Sequence, residues 1–280
     1  MAPRLWGPRQ RVQCCAATWR IRRGSAGCNP ALNHAEELNA TAYLAPRGYE
    51  AQLRAELCEV MAVHGRLLVA KGGRQAAHWA QNVWLDPVIL RIRSVSDAAR
   101  QLRSIQRNWA LYSFHLHRRS NLIQAELPHV SAKPLVFPSP PPAAPLGSWT
   151  LLDESTVLAS AACSSPFPNG EAEFVEDKTC PPNRAYLKLW EALTLLGRLP
   201  GPGDRCLDAG ASPGGWTWAL SRLGAAVVAV DRAPLDPRIA ALAGVEARKS
   251  SAFSLEPGRE RFDWVLSDVV CYPERLLEWV

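Results

Sequence analysis

"LDAGASPGGWTW" (residues 207–218) places two adjacent glycines and a proline directly after a short apolar run that ends at Asp and Ala. The residues leading into this turn, 205–210, predict a short buried strand, and residues 215–223 predict a helix that stops before a glycine. A glycine-rich turn between a strand and a helix lets a ligand approach the backbone closely. The stretch therefore predicts a binding turn at the carboxyl end of a strand.

Strand and helix patterns alternate along the whole rear part of the chain. "NRAYLKLWEALTLLG" predicts a helix that begins at Asn183 and ends at Gly197, ahead of the first strand. Alternation of this kind predicts an α/β fold with a doubly wound parallel sheet of the Rossmann type. The further elements are predicted as strand 226–231, helix 236–242, strand 244–248 and strand 262–267.

The turn suits a nucleoside ligand without a phosphate better than a dinucleotide. A dinucleotide fold requires G-x-G-x-x-G, and here Ser212 stands where the middle glycine would admit the pyrophosphate. S-Adenosylmethionine carries a nucleoside and an amino acid but no phosphate, so such a turn can hold it. Asp231 ends the next strand, where a carboxylate can accept hydrogen bonds from two ribose hydroxyls. Asp208 and Asp268 end neighbouring strands, and although any one of the three could be only a helix cap, together they indicate a site.

Four stretches carry a resemblance to a known family: "NRAYLKLWEAL", "CLDAGASPGGWTWAL", "AVVAVDRAPLDP" and "DWVLSDVVCYPERLL". Residues 181–280 resemble the FtsJ-type ribose 2′-O-methyltransferases, in particular the RlmM-like branch that modifies a cytidine of large-subunit ribosomal RNA. The resemblance implies S-adenosylmethionine as the cofactor, ribosomal RNA as the substrate, and Lys188 and Asp268 as catalytic residues. The residues expected to contact the cofactor are Asn183, Asp208, Gly210, Ser212, Pro213, Gly214, Gly215, Trp216, Asp231, Ser251 and Asp268.

The family uses a Lys–Asp–Lys–Glu set, of which this chain matches the first Lys and the Asp. A ribose 2′-hydroxyl must lose its proton as it attacks the methyl group, and a neutral Lys side chain can take that proton. The resemblance implies that the second Lys, expected to be the base, and the Glu lie beyond residue 280. We therefore expect an incomplete sheet and a fragment of a longer enzyme that methylates RNA poorly or not at all. Ser251 stands where the family often has an acid near the adenine. The alternative for Lys188 is a helix lysine that extends into solvent.

Residues 41–130 predict a small α+β domain with a basic face, similar to the THUMP-like RNA-binding domain that the family carries. Within it, residues 96–114 predict a helix with Ser96 as its N-cap. At 100° per residue, three arginines share one face of this helix, opposite Leu102 and other apolar side chains. Such a face is either solvated surface or a site for RNA phosphates. The three are Arg100, Arg103 and Arg107.

Two further segments flank these domains. Residues 1–34 hold six arginines and no acidic residue, a composition that fits either a mitochondrial presequence or a stretch translated from an upstream start. Residues 131–180 predict a proline-rich linker followed by a β-rich connector, because residues 133–148 alone contain six prolines.

The composition is that of a globular protein, and it predicts no membrane-spanning segment and no metal site. The longest apolar run, "AAVVAV" at 225–230, is too short to cross a bilayer. The eight cysteines form no C-x-x-C pair and have no histidine cluster beside them, which indicates reduced thiols in a cytoplasmic protein. The net charge of +6 comes from the front of the chain, so an anionic partner is expected to bind there.

Two other functions fit parts of the sequence. RNA cytosine-C5 methyltransferases attack with a Cys three residues after the acid of the fourth strand, and Asp268 and Cys271 have that spacing without the usual proline between them. Lys188 has no role in that mechanism, so a Cys271→Ala variant separates the two chemistries. In the other alternative, the chain is a non-catalytic fragment that binds RNA without turnover.

Overall fold

The computed structural model describes residues 35–256, 258–271 and 273–279. The predicted basic extension, residues 1–34, lies outside the described residues. Within these ranges no helix is long and apolar enough to cross a membrane. The same ranges contain no group of three or more His, Cys, Asp or Glu side chains that could hold a metal ion.

The front part of the chain, residues 35–163, forms two five-stranded sheets. Their strands are β1 (Ala35–Glu37), β2 (Ala40–Leu44), β3 (Val60–His64), β4 (Leu67–Lys71), β5 (Asn82–Leu85), β6 (Val88–Arg91), β7 (Trp109–Leu111), β8 (Gly147–Asp153), β9 (Thr156–Ser160) and β10 (Ala162–Cys163). The first sheet has the order β1-β6-β9-β8-β7, and the second has the order β10-β5-β2-β4-β3. Three helices accompany the sheets: α1 (Glu50–Glu56), α2 (Val95–Ile105) and α3 (His117–Glu126).

The segment predicted as a linker and connector, residues 131–180, supplies strands to both front sheets. Strand β8 lies between β7 and β9 in the first sheet, and β10 pairs with β5 in the second. Trp149 on β8 is fully buried, in one apolar cluster with side chains of α2 and β6. The front sheets therefore continue past the boundary predicted at residue 130, because strands β8, β9 and β10 belong to them.

The helix predicted over residues 96–114 begins earlier than expected. Ser94 is its N-cap, because the Ser94 Oγ accepts a hydrogen bond from the backbone N–H of Asp97 at 3.1 Å. Ser96, the predicted cap, lies inside the helix. The prediction of the N-cap was therefore wrong by one half-turn, since two serines of similar capping ability stand close together.

The same helix also ends earlier than expected. Trp109 is only 1% exposed, and its Nε1 donates hydrogen bonds to the carbonyls of Leu102 and Gln106 at 3.0 Å each, which holds its ring at the end of α2. The chain then runs beside β8 as strand β7. Tertiary packing of a large aromatic side chain thus overrides the helical period. As a result, Arg107 lies outside the helix that carries Arg100 and Arg103.

The rear part of the chain has the alternating order that the sequence predicts. Its elements are α4 (Tyr186–Leu196), β11 (Arg205–Ala209), α5 (Gly215–Arg222), β12 (Ala226–Asp231), α6 (Pro237–Ala240), β13 (Val245–Lys249), β14 (Trp264–Ser267) and α7 (Pro273–Trp279). The four strands form one parallel sheet in the order β13-β12-β11-β14, which confirms the predicted parallel sheet. Helix α4 begins at Tyr186 rather than at Asn183, and it ends before Gly197 as predicted.

The order of this parallel sheet reverses at β11. The chain runs outward from β11 through β12 to β13 and then returns to the other side of β11 as β14. In an open parallel sheet, a crevice forms outside the carboxyl ends of the strands at such a point. The glycine turn begins here, directly after β11.

The helices α4 and α5 cover one face of the parallel sheet with an aromatic cluster. Tyr186, Trp190 and Trp218 are all buried in it. Phe137, from the proline-rich segment, stacks on Trp190 with ring centroids 4.7 Å apart and planes 10° apart. This contact fixes the proline-rich segment on α4, so the segment is not a free spacer.

Candidate active site

A cavity of about 230 Å³ lies at the carboxyl ends of β11, β12 and β14. Parallel strands all end at the same edge of their sheet, so residues from separate segments meet there. This edge is the candidate active site. The predicted site residues that line the cavity are Gly210, Ser212, Asp231, Ser251 and Asp268.

A glycine is required at the first position of the turn for steric reasons. Gly210 has a φ of +84°, a backbone conformation that side chains disfavour. A Cβ at this position would lie 2.8 Å from the Val269 Cγ2 and 2.9 Å from the Val269 backbone nitrogen. The turn therefore packs directly against the segment that follows β14.

Asp231 holds the turn from the adjacent strand. Its Oδ2 accepts a hydrogen bond from the backbone N–H of Ser212 at 3.0 Å, and its Oδ1 accepts one from the N–H of Ala233 at 2.9 Å. The Ser212 hydroxyl donates to the carbonyl of Pro234 at 2.9 Å. Since each carboxylate oxygen can accept more than one hydrogen bond, Asp231 can hold the turn and still accept from a ligand hydroxyl.

Lys188 and Asp268, the two predicted catalytic residues, are in contact. The Lys188 Nζ lies 3.2 Å from Oδ1 and 3.3 Å from Oδ2 of Asp268. Helix α4 buries Tyr186 and Leu189, so Lys188 points away from the aromatic cluster. Both side chains remain open to solvent, at 68% and 38% exposure. The pair joins α4 to the end of β14, beside the cavity that Asp268 lines.

Three residues predicted to contact the cofactor lie between the starts of α4 and α5: Asn183, Gly215 and Trp216. The Trp216 Nε1 donates to the carbonyl of Ala185 at 2.9 Å. The Asn183 Oδ1 accepts from the N–H of Ala185 at 3.1 Å, and a Cβ on Gly215 would lie 2.1 Å from that oxygen. Gly215 therefore leaves room for Asn183. None of the three lines the cavity, and Trp216 ties the two helices together.

Pro213 and Gly214 also lie in the turn without lining the cavity. The Pro213 carbonyl accepts from the backbone N–H of Asp236, the N-cap of α6, at 2.9 Å. A Cβ on Gly214 would lie 2.8 Å from the Ile239 Cγ2 of the same helix. These two residues fasten the turn to α6.

Asp208 is fully buried and does not reach the cavity surface. Its Oδ2 accepts a hydrogen bond from the Thr217 hydroxyl at 2.6 Å, while its Oδ1 has no hydrogen-bond partner among the residues that the structure describes. Burial raises the pKa of Asp208 to about 6, and the nearby charges of Asp268 and Asp231 also act to raise it. Asp208 thus supports α5 from inside the domain, and its predicted contact with the cofactor stays a prediction.

Residues 181–275 match the FtsJ-like methyltransferase family. The matched range begins ahead of α4 and ends within α7, so it contains every predicted catalytic and cofactor-binding residue. The rear part of the chain is hereafter the FtsJ-like domain.

Several curated relatives carry the name "Ribosomal RNA large subunit methyltransferase M". The chain is 45% identical over 96 residues to the one from Halorhodospira halophila, covering 33% of this chain and 28% of the relative. It is 39% identical over 129 residues to the one from Xanthomonas campestris pv. campestris, covering 43% and 36%. It is 34% identical over 194 residues to the one from Xanthomonas oryzae pv. oryzae, covering 65% and 51%.

The chain spans about half or less of the length of these relatives. The alignment to the Xanthomonas oryzae relative covers 65% of this chain, whereas the residues that follow Cys180 make up little more than a third of it. The similarity therefore extends from the FtsJ-like domain into the front part of the chain.

The raised pKa of Asp208 predicts a pH-dependent contribution to stability. A folded-state pKa near 6, above the ordinary value of 3.8, means that the folded protein binds the proton more tightly than the unfolded chain. The stability that the protonated carboxyl contributes is full below about pH 4 and is lost as the pH rises to about 6. We expect the free energy of unfolding of the wild type, minus that of Asp208→Asn, to fall over this range and to stay level above it. Urea unfolding of both proteins between pH 4 and 8 measures this difference, and a difference independent of pH would contradict the assignment.

The three arginines predicted to form one RNA-binding face are exposed but do not form it together. The Arg100 guanidinium pairs with Asp97 on the same helix. The Arg103 Nη1 donates to the carbonyl of Glu126, at the end of α3, at 2.8 Å. Arg107 lies in the segment between α2 and β7. The early end of α2 thus separates the basic side chains.

Some residues at the site were not predicted from the sequence. Thr217 donates a hydrogen bond to Asp208. The sequence feature that could have predicted this contact is a hydroxyl residue in the first turn of the helix that follows the strand of Asp208. Arg232 and Phe253 line the cavity, the first by following Asp231 and the second through a short helical turn after β13. Cys271 is half-buried and is not among the residues that line the cavity.

Proposed function

We propose that this chain takes part in the S-adenosylmethionine-dependent 2′-O-methylation of large-subunit ribosomal RNA, at a cytidine. The observation that carries the proposal is the Lys188–Asp268 ion pair beside a cavity that also contains the Asp231 carboxylate. A basic nitrogen beside a nucleoside-sized cavity suits removal of a proton from a sugar hydroxyl. The match to the FtsJ-like family and the names of the relatives support the same activity.

The residues around the cavity fit S-adenosylmethionine. Asp231 presents a carboxylate for the two ribose hydroxyls, and Ser251 and Phe253 form the side on which the adenine would lie. Gly210 lets the turn pack directly against Val269, and both residues line the cavity. The turn between β11 and α5 does not have to enclose a phosphate, which agrees with Ser212 in place of a glycine.

The chain's own residues account for the proton transfer in this proposal. When bound, S-adenosylmethionine supplies an activated methyl group. We assign removal of the ribose 2′-hydroxyl proton to the Lys188 Nζ because it contacts Asp268 beside the cavity, although the resemblance places the family's base beyond residue 280. Asp268 holds that nitrogen in place and stabilises the ammonium group that results. No covalent intermediate on the protein is required, so alignment of the two reacting atoms supplies the rest of the rate.

The front part of the chain is proposed to carry the RNA affinity. Its mixture of sheets and helices fits a THUMP-like domain, and the basic side chains predicted for RNA contact, Arg100, Arg103 and Arg107, are exposed. The domain predicted over residues 41–130 then also includes the strands β8 to β10. A ribosomal RNA substrate would place the activity in the cytoplasm, where ribosomes are assembled.

The test of the proposed function is methyl transfer by the purified chain. Undermodified large-subunit RNA and labelled S-adenosylmethionine are supplied, and the modified position is mapped by its resistance to alkaline cleavage, which requires a free 2′-hydroxyl. Incorporation at a ribose, retained in Cys271→Ala, supports the proposal. Incorporation on a base that Cys271→Ala abolishes would assign the C5 chemistry instead, and RNA binding without incorporation would leave a non-catalytic RNA-binding chain.

Asp231→Asn is expected to weaken the binding of S-adenosylmethionine about tenfold, or about 1.4 kcal/mol. The amide keeps the size of the side chain but removes the charge that strengthens hydrogen bonds from the ribose hydroxyls. Asp263→Asn is the matched control, since Asp263 lies before β14, at the opposite edge of the sheet. Calorimetry compares the two variants with the wild type. Equal affinities would contradict the ribose contact, and tight binding of a nicotinamide dinucleotide would overturn the choice of cofactor.

A further inference from the structure

A second cavity, of about 440 Å³, lies in the front part of the chain where strand β6 leads into helix α2. Three arginines line it, together with one acidic side chain, Asp97. Neutral donors complete the lining. The charged residues of the lining are Arg91, Arg93, Arg100 and Asp97, and its neutral polar residues include Gln101 and Ser155.

The charge in this cavity is strongly positive because its one carboxylate is already engaged. Asp97 accepts hydrogen bonds from the backbone N–H of Arg93 at 2.9 Å and from Gln101 at 3.2 Å, and it pairs with Arg100. The first and last of these interactions hold the pKa of Asp97 below its usual range, so the group is charged at neutral pH. Among the side chains that line the cavity, three guanidinium groups and one carboxylate give a net charge of +2, and Asp153 outside the lining also interacts with Arg91.

Two of the three guanidinium groups are held in place, and all three remain available to a ligand. The Arg91 Nη1 donates to the Thr156 hydroxyl at 2.7 Å, which uses one of its five N–H groups. Arg100 is 75% exposed although Asp97 beneath it is only 11% exposed. Among the described residues, the Arg93 side chain makes no ion pair and no hydrogen bond. The cavity thus presents several fixed donors that have no acceptor within the protein.

We propose that this cavity binds the phosphodiester backbone of the RNA substrate. The inference rests on the proposed function, since it names where that RNA is held. Guanidinium groups bind phosphate oxygens through paired N–H donors, and Arg is preferred for this task. No aromatic ring lines the cavity, so there is no surface on which a base would stack. The cavity therefore holds RNA irrespective of its sequence. It shares Arg100 with the predicted face of Arg100, Arg103 and Arg107, but it is formed with Arg91 and Arg93 in place of the other two.

The test compares two variants of the whole chain that each lose two positive charges. Arg93→Gln/Arg100→Gln removes two arginines of the cavity, and Arg103→Gln/Arg107→Gln removes two that lie outside it. RNA binding is measured without cofactor over a range of salt concentrations, with a ribosomal RNA fragment and with a scrambled RNA of equal length. Each lost phosphate contact should reduce the slope of log K against log salt by about 0.7 to 0.9.

We expect the cavity variant to lose about 1.4 to 1.8 units of slope on both RNAs, and the outside variant to lose less than half of that. An Arg93→Lys/Arg100→Lys variant, which keeps both charges, should retain most of the slope, and the unfolding midpoints of all variants serve to show that they fold. Equal losses in the two glutamine variants, or a loss only in the outside variant, would overturn the proposal.

Competition by inorganic phosphate and by a mononucleotide separates the two sources of a phosphate group. Binding of these small anions that depends on Arg93 and Arg100, with RNA binding that does not, would assign the cavity to a small anion and overturn the proposal. Wild-type chain that binds no RNA would instead contradict the RNA substrate of the proposed function. A wild type that binds RNA beside variants with an unchanged slope contradicts only the cavity.

Discussion

Lys188→Met is expected to lower the rate of methyl transfer to RNA about 100- to 10,000-fold, the range that a well-placed general base contributes. The Met side chain is similar in length but cannot take the proton of the ribose 2′-hydroxyl. Because Lys188 is 68% exposed, its loss should leave the fold intact. The affinities for RNA and for S-adenosylmethionine should change little, so the effect should appear in kcat. Single-turnover methylation of undermodified large-subunit RNA measures it.

Two further variants make this expectation specific. Lys188→Arg keeps a cation beside Asp268 but cannot be deprotonated, so it should be as slow as the Met variant if Lys188 is the base. Activity close to that of the wild type in Lys188→Arg would show that a positive charge suffices, and the role of Lys188 as base would be wrong. Lys133→Met, an exposed lysine of the proline-rich segment, is the matched control and should keep the wild-type rate.

Gly210→Ala is expected to have the largest effect on the cofactor site. Its φ of +84° costs a non-glycine residue about 1–2 kcal/mol, and the new Cβ would lie within 3 Å of the Val269 backbone. Overpacking of this kind costs a further 1–3 kcal/mol or so. Relief requires the segment after β14 to move, and Asp268 moves with it. We therefore expect S-adenosylmethionine to bind more than about tenfold more weakly, a loss of over 1.4 kcal/mol.

Gly203→Ala isolates the effect of the close contact. Gly203 has a φ of +95°, and a Cβ there would meet no atom within 4 Å. This variant therefore carries the backbone strain alone, and its free energy of unfolding should fall by only about 1–2 kcal/mol with cofactor affinity unchanged. Denaturant unfolding and calorimetry on both variants give the comparison. Equal effects of the two substitutions on cofactor affinity would mean that contact between the turn and Val269 does not shape the site.

The parallel sheet, and the edge of it at which the candidate site lies, could be predicted because the rear sequence is locally consistent. Apolar runs of strand length alternate with helical periods, and each ends at a glycine, a proline or a carboxylate. The contact between Lys188 and Asp268 follows from the family motif rather than from spacing, since the two residues are 80 positions apart. The sequence did not reveal which way a strand-end side chain points, so Asp208 was grouped with Asp231 although it faces the interior.

The front part of the chain was harder to predict because distant pairing decides its elements. Trp109 has a place in the helical period of α2, yet burial of its ring and pairing with β8 draw it into a strand. The partner strand lies beyond the proline-rich segment, which local patterns mark as a boundary. Arg107 was assigned to the wrong element for the same reason, and the cavity around Arg93 depends on where α2 begins.

The hydrogen bond from Trp216 to the carbonyl of Ala185 joins two helix starts, one behind the glycine turn and one ahead of Lys188. Movement of the turn would therefore reach the helix that carries Lys188 through this indole ring and through the aromatic contacts between α4 and α5. By thermodynamic linkage, a ligand that stabilises the turn would also stabilise the position of Lys188. RNA bound at Lys188 would then raise the affinity for that ligand by the same free energy. The methyl donor and the RNA that accepts the methyl group would in this way bind with positive cooperativity before they react.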